Sequence, residues 1–159
     1  MYLHAPSLIC LGYTIIAKPT LALTDNKLMT SPIIASTEIR TCFDKWTNAW
    51  NEGNIEGYLD GYADSPSVRY VSGKKVTKGK DNIVNLFQER GARGVLKLVH
   101  FESECVSASD AVCFGQYRLV ECTGGDDGHD DIKETHEGCF TVHVRKINGS
   151  WKIISDHSS

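Results

Sequence analysis

The sequence lacks the short motifs that mark nucleotide-binding proteins and serine hydrolases. It contains no P-loop, no G-x-G-x-x-G and no G-x-S-x-G, so neither a phosphate cradle nor a nucleophile elbow is indicated. No two cysteines have C-x-x-C spacing, and a structural zinc site is therefore not expected. We predict that the protein uses no cofactor and no metal ion.

An excess of positive charge is also absent. The formal net charge is −3, and no basic stripe with interleaved aromatic residues is present, which argues against nucleic acid as a partner. We interpret the densest basic patch as the solvated edge of a hairpin; it consists of Lys74, Lys75, Lys78 and Lys80.

No apolar run is long enough to cross a bilayer, so no membrane partner is predicted. Residues 8–17 form a run of the length found in secretory signal peptides, but no Lys or Arg precedes it and Lys18-Pro19 comes directly after it. Two interpretations stay open. The run is a degenerate signal peptide of a secreted or periplasmic protein, or it belongs to an N-terminal extension of a cytoplasmic one.

The chain of 159 residues, with 41% apolar and 23% charged residues, has the size and composition of one globular domain. We place that domain at residues 37–159, after an extension or degenerate signal peptide at residues 1–36. The chain has six cysteines. Two pairs would suit a disulfide in an oxidising compartment: Cys105 with Cys113, or Cys122 with Cys139. The alternative is buried free thiols that pack as small hydrophobes.

Apolar periodicity predicts helices first and strands later. From about Thr37, apolar residues at spacings of three and four form one stripe, which includes Trp46 and Trp50. Asn54 is a good N-cap for a second helix over residues 55–62, and Asp81 for a third that closes at Gly91. Strand patterns cover residues 67–72, 75–78, 95–106, 111–121 and the C-terminal hairpin. This order predicts an α+β fold, a cone-shaped curved antiparallel sheet wrapped around three N-terminal helices.

The acidic stretch at residues 122–137 is the only long segment without a helix or strand pattern. It lacks the ligand spacing of an EF-hand, so we interpret it as a solvated hairpin loop. The alternative is a loop that helps to close a pocket with His129 or His136. Its acidic residues are Asp126, Asp127, Asp130 and Asp131.

The C-terminal hairpin is predicted from Asn148-Gly149, a dipeptide that favours a two-residue type I′ turn. If Ile147 and Ser150 flank the turn, strict alternation places Ser155 and His157 on the inner face and Asp156 on the outer face. A one-residue bulge would swap the two faces. The other residues of the predicted inner face are Phe140, Val142, Val144, Trp151 and Ile153.

The preceding hairpin brings further polar side chains to the same interior. A four-residue loop between Val106 and Ala111 would set His100 opposite Tyr117. Such a group is a self-satisfied polar network of the core, or it leaves donors for a ligand. Aromatic residues of helix 1, helix 2 and strand 1 would close the mouth, either as core or as pocket lining; they are Trp50, Tyr58, Tyr62 and Tyr70.

Several motifs together resemble the SnoaL-like, ketosteroid-isomerase-like group of the nuclear transport factor 2-like superfamily. They are Trp46-x-x-x-Trp50-Asn51-x-Gly53 with Tyr58-Leu59, Gly73 leading to Lys78-Gly79, Asp110-Ala111 with Gly115-x-Tyr117, and Gly149-x-Trp151-Lys152-Ile153 ahead of Asp156-His157-x-Ser159. The resemblance covers about residues 37–159. It implies a cone-shaped α+β barrel with an internal pocket and homodimers through the outer face of the sheet. The association domain of calmodulin-dependent kinases is a relative with a similar C-terminal end.

The resemblance leads to two functional hypotheses. The first is a small-molecule-binding domain with cofactor-independent acid–base chemistry on a small, apolar substrate. His157 is then the expected general acid or base, Tyr117 or Tyr58 the hydrogen-bond donor, and Tyr62, Tyr70, His100, Ser155 and Trp50 further ligand contacts. The alternative is a non-enzymatic association module that oligomerises through Thr141, His143, Ile154, Phe114 and Gln116. The base and the oxyanion donors of the ketosteroid isomerases have no matched positions, so steroid isomerisation is not predicted.

Overall fold

The computed structural model describes the backbone of residues 32–124 and 130–159 and the side chains of residues 32–121 and 135–159. Three helices and six strands lie within these ranges. In chain order they are α1 (Pro32–Asn51), α2 (Ile55–Leu59), β1 (Arg69–Ser72), β2 (Lys75–Lys78), α3 (Lys80–Arg90), β3 (Val95–Cys105), β4 (Asp110–Gly124), β5 (Asp130–Ile147) and β6 (Ser150–Ser158).

The six strands form one sheet in the order β2-β1-β6-β5-β4-β3. The predicted α+β class and antiparallel meander are confirmed for β3 to β6. The pairing of β1 with β6 is parallel, so the sheet as a whole is mixed. Because β1 pairs with the last strand of the chain, that C-terminal strand becomes an interior strand of the sheet.

The helices differ from prediction at the starts of α1 and α3 and at the end of α2, which stops at Leu59 rather than at Tyr62. Helix α1 begins at Pro32 rather than near Thr37; proline is well accommodated in a first helical turn, where its missing N–H has no partner to lose. Asn54 caps α2 as predicted, since its side chain accepts from the Gly57 N–H at 2.9 Å. In α3 the N-cap is Gly79, and Asp81 lies in the first turn.

Helix α1 covers the inner face of the sheet with its apolar stripe. The buried members of the stripe are Ala35, Ile39, Phe43, Trp46 and Ala49. The Phe43 ring lies 4.7 Å from that of Phe101 and 6.0 Å from that of Phe140, between centroids. The core therefore sits between α1 and the middle of β3, β4 and β5.

The C-terminal hairpin follows the predicted register only as far as Val144 opposite Ile153. His143 then pairs with Ser155, which leaves Ile154 as an extra residue in β6, a β-bulge. Beyond it the two faces are exchanged. Asp156 is buried and His157 is exposed, so the predicted inward orientation of His157 is wrong.

A second bulge changes the preceding hairpin. Leu98 pairs with Tyr117 and His100 with Gln116, so Val99 is the extra residue of β3. The predicted pairing of His100 with Tyr117 is wrong, because Ala111 lies opposite Cys105 rather than Val106 and every pair between the turn and this bulge is shifted by one residue. The His100 side chain is exposed and lies 2.8 Å from the Glu102 carboxylate, away from the interior.

The stretch predicted as irregular is shorter than expected, because β4 runs to Gly124 and β5 begins at Asp130. Asp126, Asp127 and His129 lie outside the described residues, as do the side chains of Asp130 and Asp131. The N-terminal residues 1–31, including the apolar run, also lie outside them.

The described cysteines are free thiols: Cys42, Cys105, Cys113 and Cys139. Burial raises the pKa of Cys113 to about 12, so this thiol acts as a small core hydrophobe. None of the helices in the described part of the chain combines the length and the apolar character that a bilayer span requires.

A substitution at Gly115 tests how tightly side chains pack between α1 and the sheet. A Cβ atom there would lie 2.3 Å from the His100 carbonyl oxygen and 2.4 Å from the Phe140 ring, so the aromatic ring occupies the space that a side chain would need. We expect Gly115→Ala to lower the free energy of unfolding by about 2 kcal/mol, measured by urea denaturation. Gln116→Ala, at the exposed next position, should change it by less than about 0.5 kcal/mol. Equal effects of the two variants would contradict this packing.

Candidate ligand cavity

A cavity of about 730 Å³ opens between the helices and the inner face of the sheet. Its walls are largely aromatic, because the stripes of α1, α2 and α3 turn rings toward the same space as the inward positions of β1, β4 and β5. Eight aromatic side chains line it: Phe43, Trp46, Trp50, Tyr58, Tyr70, Phe87, Tyr117 and Phe140.

Asp156 is the one buried acidic side chain among the described residues that line the cavity; it is 5% exposed. The bulge at Ile154 turns it inward, and the sheet register sets it between Tyr70 of β1 and Val142 of β5. Its Oδ2 accepts a hydrogen bond from the Tyr62 hydroxyl at 2.6 Å and its Oδ1 one from the Ser158 hydroxyl at 2.8 Å. Burial raises the pKa of the Asp156 carboxyl, although these two hydrogen bonds and the charge of His157 lower it.

The neighbouring phenols are hydrogen-bond donors. Burial, and then the charge of Asp156, raise the pKa of Tyr58 and of Tyr62. Burial also raises the pKa of Tyr117, with smaller contributions from Tyr70 and Asp156. The hydroxyls therefore keep their protons at neutral pH and can donate to a carboxylate or to a ligand.

The helical wall is built by two tryptophans of α1. Trp46 is buried against Gly61, where an added Cβ would lie 2.8 Å from the indole. Trp50 packs edge-on against Tyr58, with ring centroids 5.1 Å apart. The buried Nε1 of Trp50 has no hydrogen-bond partner among the described residues. Both tryptophans thus serve as core and as cavity lining.

The basic side chains that line the described part of the cavity lie at its rim. Arg90, at the end of α3, and Arg93, in the following loop, are exposed, and so is His136 of β5. Glu89 and Glu121 lie at the same rim. The charged rim is therefore mixed, whereas the described interior holds a single carboxyl group.

The structure brings together about half of the residues predicted from the sequence. Trp50, Tyr58, Tyr70 and Tyr117 line the cavity. Tyr62 is 2% exposed and does not line the cavity, but it donates a hydrogen bond to Asp156 and packs against Tyr58 and Phe87 of the lining. The structure places His100, Ser155 and His157 outside the cavity lining, since the two bulges turn them to the other face of the sheet.

Sequence reasoning missed Asp156, Ser158 and the two rim arginines. The consecutive apolar residues Ile153 and Ile154 break the alternation of the strand and could have indicated the bulge. The rim arginines carried no signal, because their position depends on how α3 joins β3.

Within the described ranges, no group of three or more His, Cys, Asp or Glu side chains is arranged to hold a metal ion. The polar chemistry of the cavity interior is that of one carboxyl group, a serine hydroxyl and several phenols.

The family model of the SnoaL-like domain matches residues 39–159. The chain belongs to this family. The match begins in α1 and includes every strand and the whole cavity. No curated protein sequence matches the chain.

Solved structures with the same fold include proteins described only by that fold. A nuclear transport factor 2-like protein of unknown function from Shewanella oneidensis is 27% identical; the alignment covers 77% of this chain and 97% of that one, with a TM-score of 0.68. One from Pseudomonas putida is 22% identical over 80% and 87% of the two chains, with a TM-score of 0.64. A protein from Xanthomonas campestris, assigned as a calcium/calmodulin-dependent protein kinase II association domain, is 24% identical over 77% and 84%, with a TM-score of 0.61.

The raised pKa of Asp156 makes the stability of this SnoaL-like domain depend on pH. The folded state holds the carboxyl proton more tightly than the unfolded chain, where the pKa is near 3.8. Below pH 3.8 the neutral carboxyl group makes its full contribution to the free energy of unfolding. That contribution is lost as the pH rises through the raised pKa of the folded state.

We therefore expect Asp156→Asn, which is permanently neutral, to gain stability relative to wild type as the pH is raised from about 4 to 8. Each tenfold difference in proton affinity between the folded and unfolded states of the wild type adds about 1.4 kcal/mol to this gain in the free energy of unfolding. Urea denaturation at several pH values measures this, with Asp64→Asn, at an exposed position, as the charge-matched control. A difference that does not grow with pH would contradict the assignment.

Proposed function

We propose that this SnoaL-like domain binds a small, largely apolar molecule in its cavity, with the polar group of that molecule at Asp156. The observation that carries the proposal is a buried carboxyl group on the wall of an aromatic cavity of about 730 Å³. Burying a carboxyl group is unfavourable, and a cavity of this size is typical of small-molecule sites.

The walls support an apolar ligand body. Leu86, Leu96, Leu98 and Leu119 complete the aromatic lining and are all half-buried. A ligand that covers them removes apolar surface from water, which is the main source of affinity in such sites.

The chemistry that the site supports is proton transfer at Asp156. A carboxyl group whose pKa is raised by burial works closer to neutral pH as an acid or a base. Tyr62 holds one oxygen of the carboxyl group and Ser158 the other, so both hydroxyls fix its orientation. Tyr58, Tyr70 and Tyr117 contribute hydroxyl groups to the residues that surround the same space.

A thermal-shift screen of small aromatic and alicyclic metabolites tests the proposal. We expect a bound compound at ten times its dissociation constant to raise Tm by about 4 °C. Leu98→Trp fills the cavity and should abolish the shift. For a compound that the protein converts, Asp156→Asn should still show a shift at a saturating concentration of the compound and should reduce turnover by at least about 100-fold.

Lys97→Trp is the matched control, because Lys97 precedes Leu98 in β3 and is exposed. It should leave the ligand-induced shift unchanged. Compounds that stabilise wild type and Leu98→Trp equally bind elsewhere and would refute the cavity as the site.

A second candidate function is self-association through the outer face of the sheet. Helix α1 covers only the inner face, and Phe114 on the outer face of β4 is 41% exposed. Thr141 and Gln116 are exposed beside it and His143 is half-buried; Ile154 is the bulge residue of β6. The Xanthomonas campestris protein, assigned as an association domain, has the same fold, so association is among the roles for which this fold has been described.

We expect Phe114→Glu to convert such a dimer to monomers, because a buried, unpaired carboxylate would disrupt the interface. Sedimentation velocity at micromolar concentration measures the change. Asn48→Glu introduces the same charge at an exposed position of α1 and should leave the dimer intact. A wild-type protein that sediments as a monomer at these concentrations would refute the association candidate.

A further inference from the structure

Asp156 has no cationic partner among the residues whose side chains the structure describes. The ion pairs within those ranges involve other carboxylates, such as that of Asp110 with Arg145. Buried carboxylates in proteins are normally paired with a cation or neutralised. The described walls of the cavity therefore do not supply the charge that would balance an ionised Asp156.

None of the described groups that face Asp156 carries a positive charge, and two of them, Tyr62 and Ser158, donate hydrogen bonds to it. The groups that face it are the Tyr62 hydroxyl after α2, Tyr58 of α2, Tyr70 of β1, Tyr117 of β4, Val142 of β5 and Ser158 of β6. His157 neighbours Asp156 along β6, but its side chain is exposed on the opposite face. Arg90, Arg93 and His136 are exposed at the rim.

The cavity that Asp156 lines is also lined by aromatic rings, which are suited to a cation. The faces of tryptophan and tyrosine rings attract ammonium groups, and several such rings around one point form the aromatic cages that recognise methylated amines. Trp50 and Tyr58 pack edge-on at 5.1 Å between centroids, and Tyr58 and Tyr70 lie 5.4 Å and 5.1 Å from Phe87. The aromatic lining and the unpaired carboxyl group thus both favour a positively charged ligand.

We propose that the ligand of the cavity is an organic amine, an apolar or aromatic body that carries one ammonium group, and that this group pairs with Asp156 between the aromatic rings. This inference rests on the proposed function, since it names the class of molecule that the cavity holds. Binding of the ammonium group stabilises the ionised carboxyl group, so a proton leaves Asp156 when it is protonated in the free protein.

Three probes with one body and different heads test the inference: 4-phenylbutylamine, 4-phenylbutanol and 4-phenylbutyrate. Isothermal titration calorimetry gives their dissociation constants at neutral pH. We expect the amine to bind wild type at least about tenfold more tightly than the alcohol, and the carboxylate to bind most weakly. The affinity for the amine should rise as the pH passes through the raised pKa of Asp156, while that for the alcohol should not.

Asp156→Asn should remove the preference for the amine and leave the affinity for the alcohol within about twofold. Trp50→Leu should lower the affinity for the amine more than the affinity for the alcohol, because it removes the face of an aromatic ring. Glu89→Gln is the control at the rim, and it should retain the preference if the carboxyl group in the interior is the determinant.

The outcomes separate the two proposals. Equal binding of all three probes to wild type, abolished by Leu98→Trp, would overturn the amine inference and leave the cavity as a binding site. A preference for the amine that survives Asp156→Asn would also overturn it. Binding of none of the probes would count against both proposals.

Discussion

One extra residue in β6 determines the chemistry of the cavity. Before Ile154, the strand is held on its parallel side by the segment 61–63, through the Ala63 N–H to Ile153 oxygen bond at 2.8 Å and the Ile153 N–H to Gly61 oxygen bond at 2.7 Å. After Ile154, the parallel partner is β1, beginning with Arg69 opposite Ser155. The bulge lies where one partner gives way to the other. Because alternation resumes one residue out of phase, Asp156 enters the interior and His157 leaves it.

The burial of the Asp156 carboxyl group is unfavourable, and hydrogen bonds from neighbouring residues reduce its free-energy cost. A carboxyl group that is 5% exposed loses most of its hydration, and the hydrogen bonds from Tyr62 and Ser158 restore part of what is lost. The Tyr62 hydrogen bond joins residues 94 apart in sequence, so it also ties the end of the helical layer to the last strand. An apolar residue in place of Asp156 would avoid the cost of burial. A buried polar group at such a position is typical of binding and catalytic sites, where stability is exchanged for function.

The sequence predicts local features of this fold better than long-range ones. The Asn148-Gly149 turn, the Asn54 cap and the stripe of α1 are confirmed because each depends on neighbouring residues. The prediction of which side chains face inward was wrong after Val99 in β3 and after Ile154 in β6. A single inserted residue inverts every later position of a strand. The parallel pairing of β1 with β6 joins segments far apart in the chain and has no local pattern. Of the candidate site, the aromatic lining on the helices could be predicted from helical periodicity, whereas its carboxyl group could not.

The shape of the cavity depends on where the inner face of the sheet has no side chains. The Phe140 ring occupies the space above Gly115, and the Tyr117 ring lies 2.7 Å from the Cβ position of Gly138. Each ring therefore lies low against the sheet. Larger residues at these glycines would push both rings toward α1 and into the cavity. On the opposite side Trp46 is fixed against Gly61. Phe43 of α1 packs against Phe140 at 6.0 Å between centroids, and a hollow stays between the two layers beside this contact. The glycines thus keep the volume open, and the bulge at Ile154 supplies the only buried acidic group among the described residues that line it.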